Sequence, residues 1–291
     1  MGPKPTLPPM PNLTTADGLK LHVREWPCDD ARGTVLIVHG LGEHIGRYAQ
    51  VAAHLLRCGR NVVGYDQRGH GQSEGARGRL NRRDDLLRDL ATVIDAVRAR
   101  HPGPLVLLGH SMGGLVAARL VAGGLESPVP EWHRQVDALV LSSPALAARM
   151  SGAQQLLLSV LGRLAPNLAL GNGLEPDWIS RDPAVVTAYL ADPRVHDRIT
   201  PKLARFVVDA GGFVRAHAAQ WRVPTLLLYA GSDRCVAPAG SAAFAAAAPA
   251  RVVTARVFAP LFHEIFNEPE QAEVFAVLAA WLSPPSSRPG G

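Results

Sequence analysis

The chain alternates short, uninterrupted apolar runs with helical patterns. "TVLIVHG" (34–40), "NVVGYDQRGHG" (61–71), "LVLLG" (105–109), "ALVLSSP" (138–144), "TLLLYAG" (225–231) and "RVVTARVFA" (251–259) read as strands. "YAQVAAHLLRCG" (48–59) and "DDLLRDLATVIDAVRAR" (84–100) read as helices. In the second of these, Leu86, Leu87, Leu90, Val93, Ile94 and Val97 share one helical face, with acids early and arginines late. A strand that is apolar at successive positions is buried on both faces, as a parallel sheet requires. The alternation implies an α/β fold with a doubly wound, mostly parallel sheet and its chemistry at the strands' carboxyl ends.

The rhythm breaks over residues 145–222, which carry helical patterns but no obvious strand, and resumes at Pro224. Residues 1–144 and 223–283 therefore read as two parts of one core, 145–222 as an inserted helical cap, and 284–291 as a flexible tail. In the cap, "QQLLLSVLGRLAP" (154–166) is apolar at Leu156, Leu157, Leu158, Val160, Leu161 and Leu164, a band wider than one buried stripe needs. Two readings stay open. The helix packs on the core or a second copy, or it forms a lipid-facing lip over an acyl pocket.

Composition removes several function classes. The 291 residues are 47% hydrophobic and 19% charged, which suits a soluble globular protein and argues against disorder. The net charge of +5 comes with no long basic cluster, so nucleic-acid binding has little support; weak attraction to an anionic membrane surface stays open. Cys28, Cys58 and Cys235 are too few and too scattered for a disulfide framework, and no Cys/His spacing suggests a metal site. No secretory leader and no long apolar span stand out, so the expected location is cytoplasmic, with peripheral membrane contact as a variant. Oligomeric state is not legible.

The strand "LVLL" runs into Gly109-His110-Ser111-Met112-Gly113-Gly114, and a helical pattern follows. Strand, Gly-x-Ser-x-Gly, helix is the pattern of a nucleophile elbow, in which a tight turn lifts the serine hydroxyl above the sheet. Such a serine needs an acid and then a histidine further along the chain. Asp233 follows "TLLLYAGS", and of the 11 histidines only His263 lies beyond it. Ser111 is thus expected as nucleophile, His263 as base and acid, and Asp233 as the group that orients it. The oxyanion hole is expected from the backbone N–H groups of Met112 and Leu41. No cofactor or metal is needed for this chemistry. Turn and core roles are expected for Asp66, Arg68, His70 and Ser73. Cys235 reads either as a small buried residue or as a thiol close enough for its modification to disturb the site.

Several stretches together resemble the monoacylglycerol lipase and lysophospholipase branch of the α/β-hydrolases, a group also described as serine aminopeptidase S33-like. They are "HGLGEHIGRY" (39–48), "YDQRGHGQSEG" (65–75), "GHSMGG" (109–114), "SSPAL" (142–146), "SRDPAVVTAYLADPRV" (180–195), "GSDRCV" (231–236) and "FHEIFNEPE" (262–270). The resemblance implies the α/β-hydrolase fold with a helical cap and hydrolysis of a lipid or other small ester through an acyl-enzyme. It supports Leu41 as an oxyanion donor. It also implies substrate contacts from Glu43 and Arg47 at the glycerol end and from Tyr189 on the leaving-alcohol side; a structural ion pair that holds the loop is the other reading of Glu43 and Arg47. Phe266 stands where mammalian relatives place a second histidine facing glycerol, so a different polar head or a plainer ester is an alternative. A general carboxylesterase, an acyltransferase and a non-catalytic ligand-binding homologue are the other readings.

Overall fold

The computed structural model describes residues 9–283; the expected tail at 284–291 lies outside the described residues. A two-residue antiparallel pair comes first, β1 (Leu13–Thr14) with β2 (Lys20–Leu21), then β3 (Val23–Trp26). Next come β4 (Thr34–Val38), α1 (Ala49–Arg57), β5 (Asn61–Tyr65) and α2 (Asp85–Arg100). β6 (Leu105–His110) passes directly into α3 (Ser111–Ala122), and β7 (Ala138–Ser142) follows. The next stretch holds α4 (Gly152–Leu164), β8 (Leu170–Gly171), α5 (Pro183–Ala191), β9 (Arg198–Ile199) and α6 (Pro201–Ala216). The chain closes with β10 (Thr225–Ala230), α7 (Pro238–Ala247), β11 (Val253–Phe258) and α8 (Gln271–Leu282).

Seven strands make one sheet in the order β11-β10-β7-β6-β4-β5-β3, parallel throughout except where β3 pairs antiparallel with β5. The apolar runs of β4, β5, β6, β7 and β10 bury both faces, while β11 at the sheet edge is exposed from Thr254 to Val257. Val35 and Ile37 of β4 point to the side packed by α1 and α8, while Leu36 and Val38 point to the side packed by α2, α3 and α6. Val38 and Leu141 flank Gly109 in register, so the carboxyl end of β6 opens between the ends of β4 and β7. The reversal of strand order at this place leaves a crevice.

The proposed cap differs in detail from the sequence reading. β8 and β9 form an antiparallel pair of two residues each, too short to leave a periodic signal. α6 lies in the same numbered stretch, yet its Leu203, Phe206, Ala210 and Val214 are buried with the residues of α3. α4 behaves otherwise. Ser151 and Gln154 close a capping box at its start, yet none of its residues is buried. Leu156 and Leu164 are 68% and 79% exposed. α4 packs against α6, with Leu158 and Leu161 half-buried, while Leu156, Leu157, Val160 and Leu164 face outward. Among the described residues no helix is long and apolar enough to cross a membrane.

The turn after β5 is held by charge. Arg68, 4% exposed, meets Asp89 at 2.6 Å, Asp85 at 2.8 Å and Asp17 at 3.0 Å, joining α2 to the turn between β1 and β2. Asp66 accepts from the amides of Ile45 (2.7 Å) and Gln72 (2.8 Å), and Ser73 Oγ donates to the Asp66 carbonyl at 2.5 Å. Arg68→Met would leave Asp85 and Asp89 buried without their cation. Loss of one partner of a buried pair typically costs about 3–5 kcal/mol. A urea unfolding curve should show a loss of that order; a shift within about 0.5 kcal/mol, the range of an ordinary surface change, would contradict the assignment.

Candidate active site

Ser111 opens α3 with φ 53°, a left-handed backbone that a side-chain-bearing residue rarely takes. The glycines around it are required by contact. A Cβ on Gly113 would lie 2.1 Å from the Val38 carbonyl oxygen, and one on Gly109 would lie 2.6 Å from the Gly113 oxygen. Packing this close drives the turn against the end of β4 and leaves the serine side chain outside it.

His263 and Asp233 meet Ser111 from two other loops. The Ser111 hydroxyl lies 2.8 Å from His263 Nε2, and His263 Nδ1 lies 2.7 Å from Asp233 Oδ2. Asp233 Oδ1 accepts from the amides of Cys235 (2.8 Å) and Val236 (3.0 Å), so both carboxylate oxygens are occupied. Burial alone would push the His263 pKa down. Asp233 outweighs it, and the pKa stands above that of ordinary imidazole. Burial likewise raises the Asp233 pKa, but His263 and the two amides bring it below the usual carboxylate value. The neighbouring ring of His110, 4.8 Å from His263, is held to about 4 by burial and then by His263, so it is neutral at pH 7. The chemistry this set can perform is nucleophilic attack with proton transfer to His263.

Asp233, Cys235 and His263 also bring three ligand-type atoms within 4.8 Å. The Asp233 and His263 atoms are already bonded to each other, and Asp233 accepts two amides. Burial, reinforced by the Asp233 charge, pushes the Cys235 thiol up, away from the thiolate a metal binds. This is a poor donor set for a metal.

The loop after β4 carries Leu41, whose N–H meets no acceptor among the described residues. Met112 is the second residue of α3, and helices leave their first N–H groups without an internal acceptor. Leu41, Met112 and Ser111 all line one cavity of about 700 Å³. Its walls are mostly apolar, with Met150, Trp178, Ile199 and Val207 among them. Arg149 and Arg234 also line it, and no carboxylate does. Arg149 donates to the Asp233 carbonyl at 2.7 Å and so braces the acid's loop, a contact with no sequence signal.

Glu43, Arg47, Tyr189 and Phe266 form a separate group. Glu43, 4% exposed, accepts from the Gly40 amide and the Tyr48 hydroxyl (both 2.6 Å) and from Arg47 (2.8 Å). Arg47 forks onto Glu264 at 2.6 and 2.8 Å, with the Tyr189 ring 4.9 Å away. Burial disfavours the Glu43 carboxylate, but Arg47 holds its pKa down at about 2. Phe266 is buried against Phe275. The cleft next to this group holds about 20 Å³, room for about one water. None of the four residues lines the large cavity. Glu264 was not singled out by the sequence; its one signal was an acid directly after His263.

Comparisons with known proteins bear on the family and the fold. Residues 29–270 match the family model described as serine aminopeptidase, S33. A monoacylglycerol lipase of Mycolicibacterium smegmatis is 36% identical, over 91% of this chain and 93% of the relative. Phospholipase YtpA of Bacillus subtilis is 29% identical over 88% of this chain and 97% of the relative. The crystal structure of Paleococcus ferrophilus monoacylglycerol lipase superposes with a TM-score of 0.79 at 34% identity, covering 90% of this chain and 98% of that one.

His263 accepts the Ser111 proton only when neutral. Since Asp233 stabilises its charged form, labelling of Ser111 by a fluorophosphonate should fall on the acid side with a midpoint above about 6.5, the value of free imidazole. Asp233→Asn should move that midpoint down and slow labelling by roughly 10⁴-fold, as in other triads. An unchanged midpoint in the variant would contradict the role given to Asp233.

Proposed function

Since the chain belongs to the serine aminopeptidase S33 family of α/β-hydrolases, we propose that it is a serine carboxylic-ester hydrolase acting on single-chain acyl esters, monoacylglycerols first among them. The observation that carries this reading is a serine at φ 53°, hydrogen-bonded to His263 at 2.8 Å, opening into an apolar cavity of about 700 Å³. That size lies within the usual range for small-molecule sites.

Ser111 attacks the acyl carbonyl as His263 takes its proton, and Asp233 keeps the imidazole in the orientation that accepts it. The developing oxyanion is met by the amides of Leu41 and Met112, each worth roughly 100- to 1000-fold in rate in comparable sites. His263 returns the proton to the departing alcohol. Water, activated by the same histidine, then releases the acid from Ser111. No metal or cofactor enters these steps. Glu43 and Arg47 serve this reaction through the loops they hold: Glu43 fixes Gly40 beside the oxyanion donor, and Arg47 fixes Glu264 beside the base.

A second reading has its own support. Arg149 and Arg234 are the charged residues of the cavity wall, and a relative carries the name phospholipase, so a lysophospholipid is the alternative substrate. The outward stripe of α4, with Leu156, Leu157, Val160 and Leu164 exposed, supports contact of the cap with a lipid surface during substrate uptake.

Ser111→Ala should lower turnover of every ester by roughly 10⁴- to 10⁶-fold while leaving the fold intact. The wild type should hydrolyse a series of monoacylglycerols faster than matched lysophosphatidylcholines. The reverse order would favour the second reading. Turnover of p-nitrophenyl esters with none of either lipid would make the protein a general carboxylesterase.

A further inference from the structure

We infer that a basic cavity at the edge of α4 binds the phosphate of an anionic phospholipid. This rests on the lipid-surface contact proposed above and gives it a chemical address. The cavity measures about 220 Å³ and is lined by Arg83, Arg163, Lys202 and Arg205, with Ser159 between them and no acidic residue in its wall. The four cations come from three segments: the turn before α2, the end of α4 and the first turns of α6.

Some exposed arginines elsewhere carry carboxylate partners: Asp137 on Arg98, Asp95 on Arg134, Asp192 on Arg194, Glu273 on Arg256. At this cavity only Arg205 has one, Asp209 at 2.9 Å. Lys202 Nζ donates to the Asn81 carbonyl, which brings no charge. Arg83 and Arg163 meet no hydrogen-bond or ion-pair partner among the described residues. Four like charges around one cavity repel, and a bound anion removes that repulsion. Guanidinium groups suit phosphate oxygens because their N–H donors match them in pairs.

The neighbouring apolar face favours a lipid phosphate over a free one. Leu156, Ser159 and Arg163 follow at helical spacing of three and four, so the stripe of exposed leucines and the basic cavity share an edge on α4. A phosphate in the cavity would set acyl chains along Leu156, Leu157, Val160 and Leu164. That contact would hold the cap, which covers the Ser111 cavity, at the lipid surface.

The test is co-sedimentation of the full chain with vesicles of phosphatidylcholine, alone or mixed with phosphatidylglycerol. Binding should favour the mixed vesicles and weaken with salt. Arg163→Gln with Lys202→Gln should weaken it about five-fold per charge removed, roughly 25-fold together. Arg98→Gln with Arg134→Gln removes the same charge from elsewhere on the surface and should retain most of the binding. Equal binding to both vesicle types, or equal losses in the two double variants, would overturn the site. Binding of inorganic phosphate that the first double variant abolishes, without vesicle binding, would overturn the lipid assignment. Turnover of a short water-soluble p-nitrophenyl ester should match the wild type in both double variants. Failure of the wild type on that ester would strike the hydrolase reading alone, since vesicle binding is measured without it.

Discussion

The left-handed backbone of Ser111 is the constraint on which the site depends. It exists because β6 ends and α3 begins with no residue between them, and because two glycines let that junction press against the end of β4. A Cβ at Gly113 would strike the carbonyls of both Val38 and His39. The contact that permits the turn is therefore also the contact that sets the Leu41 loop beside it. Strain at Ser111, typically about 1–3 kcal/mol for such a conformation, is sustained by the parallel sheet around β6. The sheet's burial on both faces makes it a rigid support.

Electrostatics then fix the other two loops. Asp233 is bound by two amides and by His263, while its carbonyl is held by Arg149. Arg47 lies between two buried carboxylates, one from the β4 loop and one from the residue after His263. One guanidinium thus ties the loop after β4 to the loop that carries His263. The segment after α5 joins in: His196 N–H donates to the Gly42 carbonyl at 2.9 Å, and His44 meets Asp192 at 2.9 Å. Residues 192–196 are thus anchored on the β4 loop.

Much of this was legible in the sequence, and the reasons differ by feature. The continuous apolar runs disclosed the parallel sheet because two-sided burial leaves no alternation. That Ser111, Asp233 and His263 would meet was legible because chain order left a single histidine after the acid. The outward face of α4 was not decidable, because a wide apolar band suits a core, a partner and a lipid surface equally well. For Glu43 and Arg47 the sequence left a substrate contact and a structural ion pair open; in the structure they pair with each other and with Gly40, Tyr48 and Glu264. The Arg47–Glu264 part of this set joins loops 217 residues apart in sequence and leaves no local pattern. The β8–β9 pair escaped notice because two residues carry no period.

An acyl-enzyme on Ser111 is the central claim, and it is open to direct observation. The wild type can be quenched in acid during turnover of a p-nitrophenyl ester, digested, and its peptides weighed by mass spectrometry. The expected result is the mass of one acyl group on the peptide containing Ser111, absent when the ester is omitted. An acyl group found on Cys235 instead, or undiminished turnover with no acylated peptide at all, would contradict it.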